Sequence, residues 1–139
     1  MRETLAPGLI YELRYDVGRE RTVPGLLPES PEFGRMPHVL ATGYLVGLVE
    51  WACILAVNPH LDWPAEQTVG THLDLSHVAA TPPGMSVTIR VELATVEGRK
   101  LTFAVEARDE KEIISTGRHQ RFVIDATRFA ARIAAKASS

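Results

Sequence analysis

Nineteen consecutive residues, Val39 to Val57, read VLATGYLVGLVEWACILAV and carry a single charge, Glu50. The pattern predicts a helix from about Leu40 to Val57, stopped by Asn58-Pro59. A helix that is apolar nearly all round cannot lie on a surface with one side wet, so the rest of the chain has to wrap it. The competing reading is a membrane span. Against it, Glu50 near the middle would cost ~2.5–3.5 kcal/mol at a bilayer centre, and the far flank, NPHLDWP, has no basic residue. The expectation is a buried central helix holding one carboxylate.

The remaining segments alternate with period two. In LIYELRYDV, Leu9, Tyr11, Leu13, Tyr15 and Val17 share a face opposite Glu12, Arg14 and Asp16. VGTHLDLSHV sets Val69, Thr71, Leu73, Leu75 and His77 against Gly70, His72, Asp74 and Ser76. MSVTIRVELATV places Met85, Val87, Ile89, Val91 and Leu93 together; Leu101, Phe103, Val105 and Ala107 follow after an EGRK turn. RDEKE turns into IISTGRHQRFVI, and a short terminal helix is expected from Asp125 to Lys136, with Phe129 and Ile133 four apart. Between the first strand and the helix, Pro24, Pro28, Pro31 and Pro37 predict a long irregular connection, a candidate lid. Short turns imply an antiparallel meander with one covered face. The fold class expected is α+β, one domain over residues 1–139, with a curved sheet about the helix and edge strands that a dimer would cover.

Charge narrows the functions. The net charge of −2 offers no footprint for nucleic acid or an anionic membrane. One cysteine, Cys53, excludes an intrachain disulfide and suits a reducing cytoplasm, and MRETLAPGLIYELRYDV lacks the apolar core of a signal peptide. His38, His60, His72, His77 and His119 show no metal-ligand spacing, and no phosphate-binding glycine loop is present.

No Lys or Arg lies between Arg35 and Arg90, so Glu50 has no cation nearby in sequence. A buried carboxylate must find donors or raise its pKa, which makes it a candidate general base or nucleophile as well as a candidate structural acid. Gly43, Val46, Gly47, Cys53 and Ile54 share its helix face. The two glycines serve either close packing or room for a slender ligand. His77 is expected on the strand face against the helix, as a core histidine or a second titratable group in Glu50's layer. Thr42 opens the helix, as a cap or as a hydroxyl at its positive end. Cys53 reads as packing. Arg99-Lys100 and Arg118/Arg121 are solvated charges or phosphate contacts.

PESPEF, ATGYLVGLVEWAC, HVAATPPG and VEGR together resemble the fluoroacetyl-CoA thioesterase family of the hot-dog superfamily, from about Pro28 through Arg121. The resemblance implies a hot-dog fold, a homodimer with active sites near the subunit interface, and acyl-CoA hydrolysis without metal or redox cofactor. It implies catalytic roles for Thr42, Glu50 and His77, and substrate contacts at Gly70 and Arg121. Met36 stands where the family has a gating phenylalanine, and Tyr44 replaces another phenylalanine. A small dry pocket under the Pro-rich connection would admit short acyl groups. The rival readings are a carrier-protein thioester hydrolase, a dehydratase or isomerase on the same fold, and a non-catalytic acyl-CoA binder.

Overall fold

The computed structural model describes residues 1–138. Strand β1 (Ile10–Asp16) is followed by a 3-10 turn at Arg19–Arg21 and two one-turn helices, α1 (Val23–Leu26) and α2 (Pro31–Gly34). The long helix α3 (Thr42–Val57) comes next, then β2 (Glu66–Leu75), β3 (Ser86–Glu97), β4 (Lys100–Arg108), β5 (Ile113–Asp125) and the terminal helix α4 (Ala126–Ala137). The strands form one antiparallel sheet in the order β1-β3-β4-β5-β2. Both β1 and β2 are edges; β3, β4 and β5 form the expected meander, but β2 pairs with β5 instead of β3, which the ten-residue connection 76–85 allows.

The alternation holds in β1, β3 and β4. Val87, Ile89, Val91 and Leu93 are fully buried, as are Leu101, Phe103 and Ala107, with Val105 nearly so. Against them α3 buries Leu45, Leu48, Val49, Ala52, Cys53, Ala56 and Val57. Full burial of each large apolar side chain contributes ~1.5–3 kcal/mol, so this seam dominates the core. The helix begins at Thr42, two residues later than expected. Leu40 and Ala41 are held before it by bonds from Leu40 N–H to the Thr81 carbonyl and from Ala41 N–H to the Arg21 carbonyl.

The Pro-rich connection is more ordered than its prolines suggest. Ser30 caps α2 by accepting a bond from Phe33 N–H, and Pro31 opens that helix, where its missing N–H costs nothing. Leu26 of α1 sits over Gly43 of α3, so closely that a Cβ there would come within 2.8 Å of Leu26 Cδ2. Gly43 is therefore a packing glycine. Gly47, one turn on, faces open space.

Strand β2 departs from strict alternation. Thr68 is buried, and Gly70 lies beside Glu50, so the Thr68–Gly70 side faces the helix while Val69 pairs with the exposed Phe122. A register shift between Gly70 and His72 then restores Leu73 and Leu75 to the inner face, opposite His119 and Gly117. The expected placement of Val69 inside and Gly70 outside is thus reversed by the bulge.

Candidate active site

Glu50 is not without a cation. Its Oε2 accepts a 2.8 Å bond from a guanidinium nitrogen of Arg121, 71 residues further along on β5. Arg121 is only 3% exposed, so its reading as a solvated surface charge is incorrect. It lies inside because β5 alternates, and Ser115, His119 and Val123 on the same side are buried.

A buried guanidinium needs its donors satisfied. Nε donates to Thr68 Oγ1 at 2.8 Å and Nη2 to the Thr68 carbonyl at 2.8 Å. Nη1 serves both Glu50 and His119 Nε2, the latter at 3.1 Å. His119 in turn donates from Nδ1 to the His72 carbonyl at 2.8 Å, which leaves Nε2 as the acceptor facing Arg121. Burial first, and the Arg121 charge after it, hold the His119 pKa below the ordinary value, so the ring is neutral. Thr68, His119 and Arg121 fix one end of the carboxylate. The Glu50 side chain remains 39% exposed, leaving its other oxygen open to a ligand.

Gly70 belongs to the same cluster. A Cβ at this position would lie 2.9 Å from Glu50 Oε2, 3.2 Å from His119 Cε1 and 3.3 Å from Arg121 Nη1. The missing side chain lets β2 close over the ion pair.

The second cluster is at the start of α3. Thr42 is the first helical residue; the cap position is Ala41, which has no side chain to cap with. The expected capping role for Thr42 is therefore unfilled, and its Oγ1 instead shares a 2.8 Å hydrogen bond with His77 Nδ1. The first-turn N–H groups have no intrahelical acceptor and no side-chain cap, so the positive end of the helix is open beside this pair. His77 lies two residues past the end of β2, in the following connection rather than on the strand. That connection is anchored on both sides of it: Ser76 N–H donates to the Thr116 carbonyl and Val78 N–H to that of Ile114. Further on, the buried Thr81 hydroxyl donates to Asp109 Oδ2 at 2.9 Å. Burial lowers the His77 pKa, keeping the imidazole neutral, and its Nε2 is buried without a partner among the described residues.

The two clusters lie on one helix. Thr42 and Glu50 are eight residues apart, about 12 Å at the backbone, and both are on the side of α3 that also carries Val46 and Gly47. A cleft of about 270 Å³ bordered by Tyr15, Arg21, Tyr44, Gly47 and Leu48 adjoins this stretch. Tyr44 finds a partner for its hydroxyl in the Gly25 carbonyl at 3.4 Å, and the Arg21 guanidinium lies 5.1 Å from its ring centroid. Met36 is 49% exposed in the turn after α2 and makes no bond to either cluster. Cys53 is fully buried, and burial pushes its thiol up to about 12, which fits packing rather than nucleophilic chemistry. Among the described residues no three His, Cys, Asp or Glu side chains form a metal-ion cluster. His119 is a site residue that motif and spacing did not single out; period-two counting back from Val123 places it and Arg121 on the inner face.

A five-stranded antiparallel sheet curled about one long helix, with an acid and a histidine on that helix's open side, defines a hot-dog thioesterase. The fold is shared with a thioesterase superfamily member from Thermus thermophilus (TM-score 0.87, 25% identity, covering 99% of this chain and 96% of that one). The model of the fluoroacetyl-CoA-specific thioesterase family matches residues 27–127, and this chain belongs to that family. The fluoroacetyl-CoA thioesterase of Streptantibioticus cattleyicolor is 43% identical over 136 residues, 98% of this chain and 97% of its own. A solved structure of a fluoroacetyl-CoA thioesterase, a Thr-to-Ser variant in complex with acetyl-CoA, superposes with a TM-score of 0.92 at 43% identity, covering 95% of this chain and 98% of that one.

Proposed function

We propose that this protein hydrolyses the thioester of a short acyl-CoA, with fluoroacetyl-CoA and acetyl-CoA as the first substrates to test. The observation that carries the reading is the pairing of Thr42 with His77 on the same open helix face as a half-exposed, Arg121-anchored Glu50. The thioester carbonyl sits beside Gly47, where a Cβ would meet no atom within 4 Å. Glu50 attacks that carbonyl, or takes a proton from the water that does. The open first-turn N–H groups of α3, the Thr42 hydroxyl and the Gly70 backbone N–H stabilise the developing oxyanion. His77, kept neutral by burial, is the proton relay. In the direct route it receives the water proton from Glu50; in the covalent route it takes that proton from the water that cleaves the Glu50 anhydride; in both it hands it to the CoA sulfur. The balance is thioester plus water to carboxylic acid plus thiol. Arg121 positions Glu50 and stays away from the reacting carbon.

The reading includes a homodimer. The β2 edge is unpaired, and Leu73 on it and Val78 just past its end are exposed, so a second copy would cover open backbone groups together with apolar surface. It also places the protein in the cytoplasm, where Cys53 remains a thiol.

The test follows free-thiol release from a panel of short acyl-CoAs with the wild type, Glu50→Gln and His77→Ala. Loss of at least 100-fold in kcat/KM in both variants, with the fold intact by circular dichroism, supports the assignment. Wild-type rates in both would overturn it.

A further inference from the structure

The cleft of about 270 Å³ beside Gly47 holds a charge that the chemistry at Glu50 and His77 does not use. Its walls are Tyr15 from β1, Tyr44, Gly47 and Leu48 from α3, and Arg21 from the 3-10 turn. Tyr44, Gly47 and Leu48 are spaced three and four residues apart, so they line one side of α3. Arg21 is the one charged side chain of the five.

Arg21 is half-buried and held in place. Its Nε donates to the Tyr15 hydroxyl at 3.0 Å, and its guanidinium lies 5.1 Å from the Tyr44 ring centroid. The backbone is fixed as well, because the Arg21 carbonyl accepts from Ala41 N–H just ahead of α3. No carboxylate pairs with this guanidinium among the described residues. The two acids nearest to it in sequence are turned elsewhere: Glu20 folds over Gly18, and Asp16 accepts from Ser86 Oγ at 2.7 Å. With Nε engaged, the two terminal nitrogens remain, and a carboxylate binds such a fork bidentately. A guanidinium positioned by aromatic neighbours, without an acid of its own, is a preorganised receptor for an anion.

We propose that Arg21 receives a second carboxylate at the far end of the acyl group, so that the enzyme prefers CoA thioesters of short dicarboxylic acids over those of uncharged acyl groups of equal length. The inference rests on the reading of the protein as an acyl-CoA thioesterase. Gly47 joins the two sites: the thioester carbonyl is placed beside it, and it lines the Arg21 cleft. Tyr44, whose ring neighbours the guanidinium, is three residues or ~4.5 Å of helix from Gly47. An acyl chain of succinyl or glutaryl length spans that gap, whereas acetyl does not reach across it. Tyr15, Tyr44 and Leu48 offer apolar surface to the methylenes, and the single cation fixes the end of the chain.

The test compares succinyl- and glutaryl-CoA with butyryl- and pentanoyl-CoA, using the wild type and Arg21→Gln in the full chain, with uncatalysed hydrolysis subtracted. The wild type should favour each charged substrate over its neutral counterpart by ~10-fold or more in kcat/KM, the size of a charged hydrogen-bond pair. Arg21→Gln should bring that ratio to within about threefold of unity, with KM carrying most of the change. Because the readout is a ratio within one variant, a general loss of activity or folding cancels. Calorimetry supplies an arm without turnover: Glu50→Gln should bind glutaryl-CoA about fivefold or more tighter than pentanoyl-CoA, and Glu50→Gln/Arg21→Gln should bind the two alike. Equal wild-type rates on charged and neutral substrates, or a preference that survives Arg21→Gln, overturns the proposal; acetyl-CoA turnover in that case leaves the thioesterase reading intact. Tighter binding of glutaryl-CoA through Arg21 with no turnover of any thioester refutes the enzymatic reading and leaves the carboxylate receptor standing.

Discussion

Removing the Glu50–Arg121 contact one partner at a time, and then both together, measures how strongly these two side chains depend on each other. At 2.8 Å the charge attraction is ~1.5 kcal/mol in a water-like medium and ~6 kcal/mol at an effective dielectric of about 20. Arg121 is buried and Glu50 is 39% exposed, so the operative value lies toward the lower end. Offsetting it are the desolvation of Arg121 and the ordering of the Glu50 side chain. A double-mutant cycle with Glu50→Gln and Arg121→Met should therefore return a coupling of ~1–3 kcal/mol by urea denaturation. Arg121→Met alone should be the more destabilising single change, because it also strands the Thr68 carbonyl and His119 Nε2 in a buried setting. Its kcat should fall together with that of Glu50→Gln, and the double variant should be no worse than the slower single. Additivity within ~0.5 kcal/mol would refute the reasoning, since it would mean the two groups do not share a common interaction.

Three further outcomes follow from the same geometry. With its pKa lowered by burial, His77 is a competent base above that value, so the acid limb of kcat/KM should lie below the ordinary histidine value of 6.5. Stability has the same sign: the unfolded chain takes protons first, so the contribution of neutral His77 and His119 is complete above 6.5 and lost as pH falls beneath it. A pH–rate profile with its acid midpoint above ~7 contradicts this. Gly70→Ala should cut kcat/KM by ~10-fold or more while the protein stays folded, because its Cβ collides with the Glu50 carboxylate; full activity in that variant would exclude the close approach. Thr81→Val should cost ~1.5–3 kcal/mol by losing a buried bond to Asp109, and should lower kcat by loosening the His77 connection; an unchanged urea midpoint argues otherwise.

Much of the architecture can be read from patterning because hydrophobic period and turn spacing are local properties. The central helix, the inner faces of β1, β3 and β4, and Glu50 as the lone charge of its segment all follow that way. Partners brought together by the fold are not local. Arg121 is 71 residues from Glu50, and the polar triplet His119-Gln120-Arg121 resembles a solvated strand unless its parity is counted from buried Val123. The bulge between Gly70 and His72 has no marker beyond the glycine, and it inverts the faces assigned to Val69 and Gly70. Thr42 and His77 are indicated by motif resemblance; their hydrogen bond depends on the 76–78 connection pairing with β5, which alternation in one strand does not specify.

The central claim is that Glu50 and His77 act on one thioester, and a kinetic cycle tests it most directly. Thiol release from acetyl-CoA is measured for the wild type, Glu50→Gln, His77→Ala and the double variant, with folding verified for each. Groups that act as a unit give strongly non-additive losses, so the double variant should be within about threefold of the slower single. Losses that multiply, or a His77→Ala variant as fast as the wild type, would contradict the account.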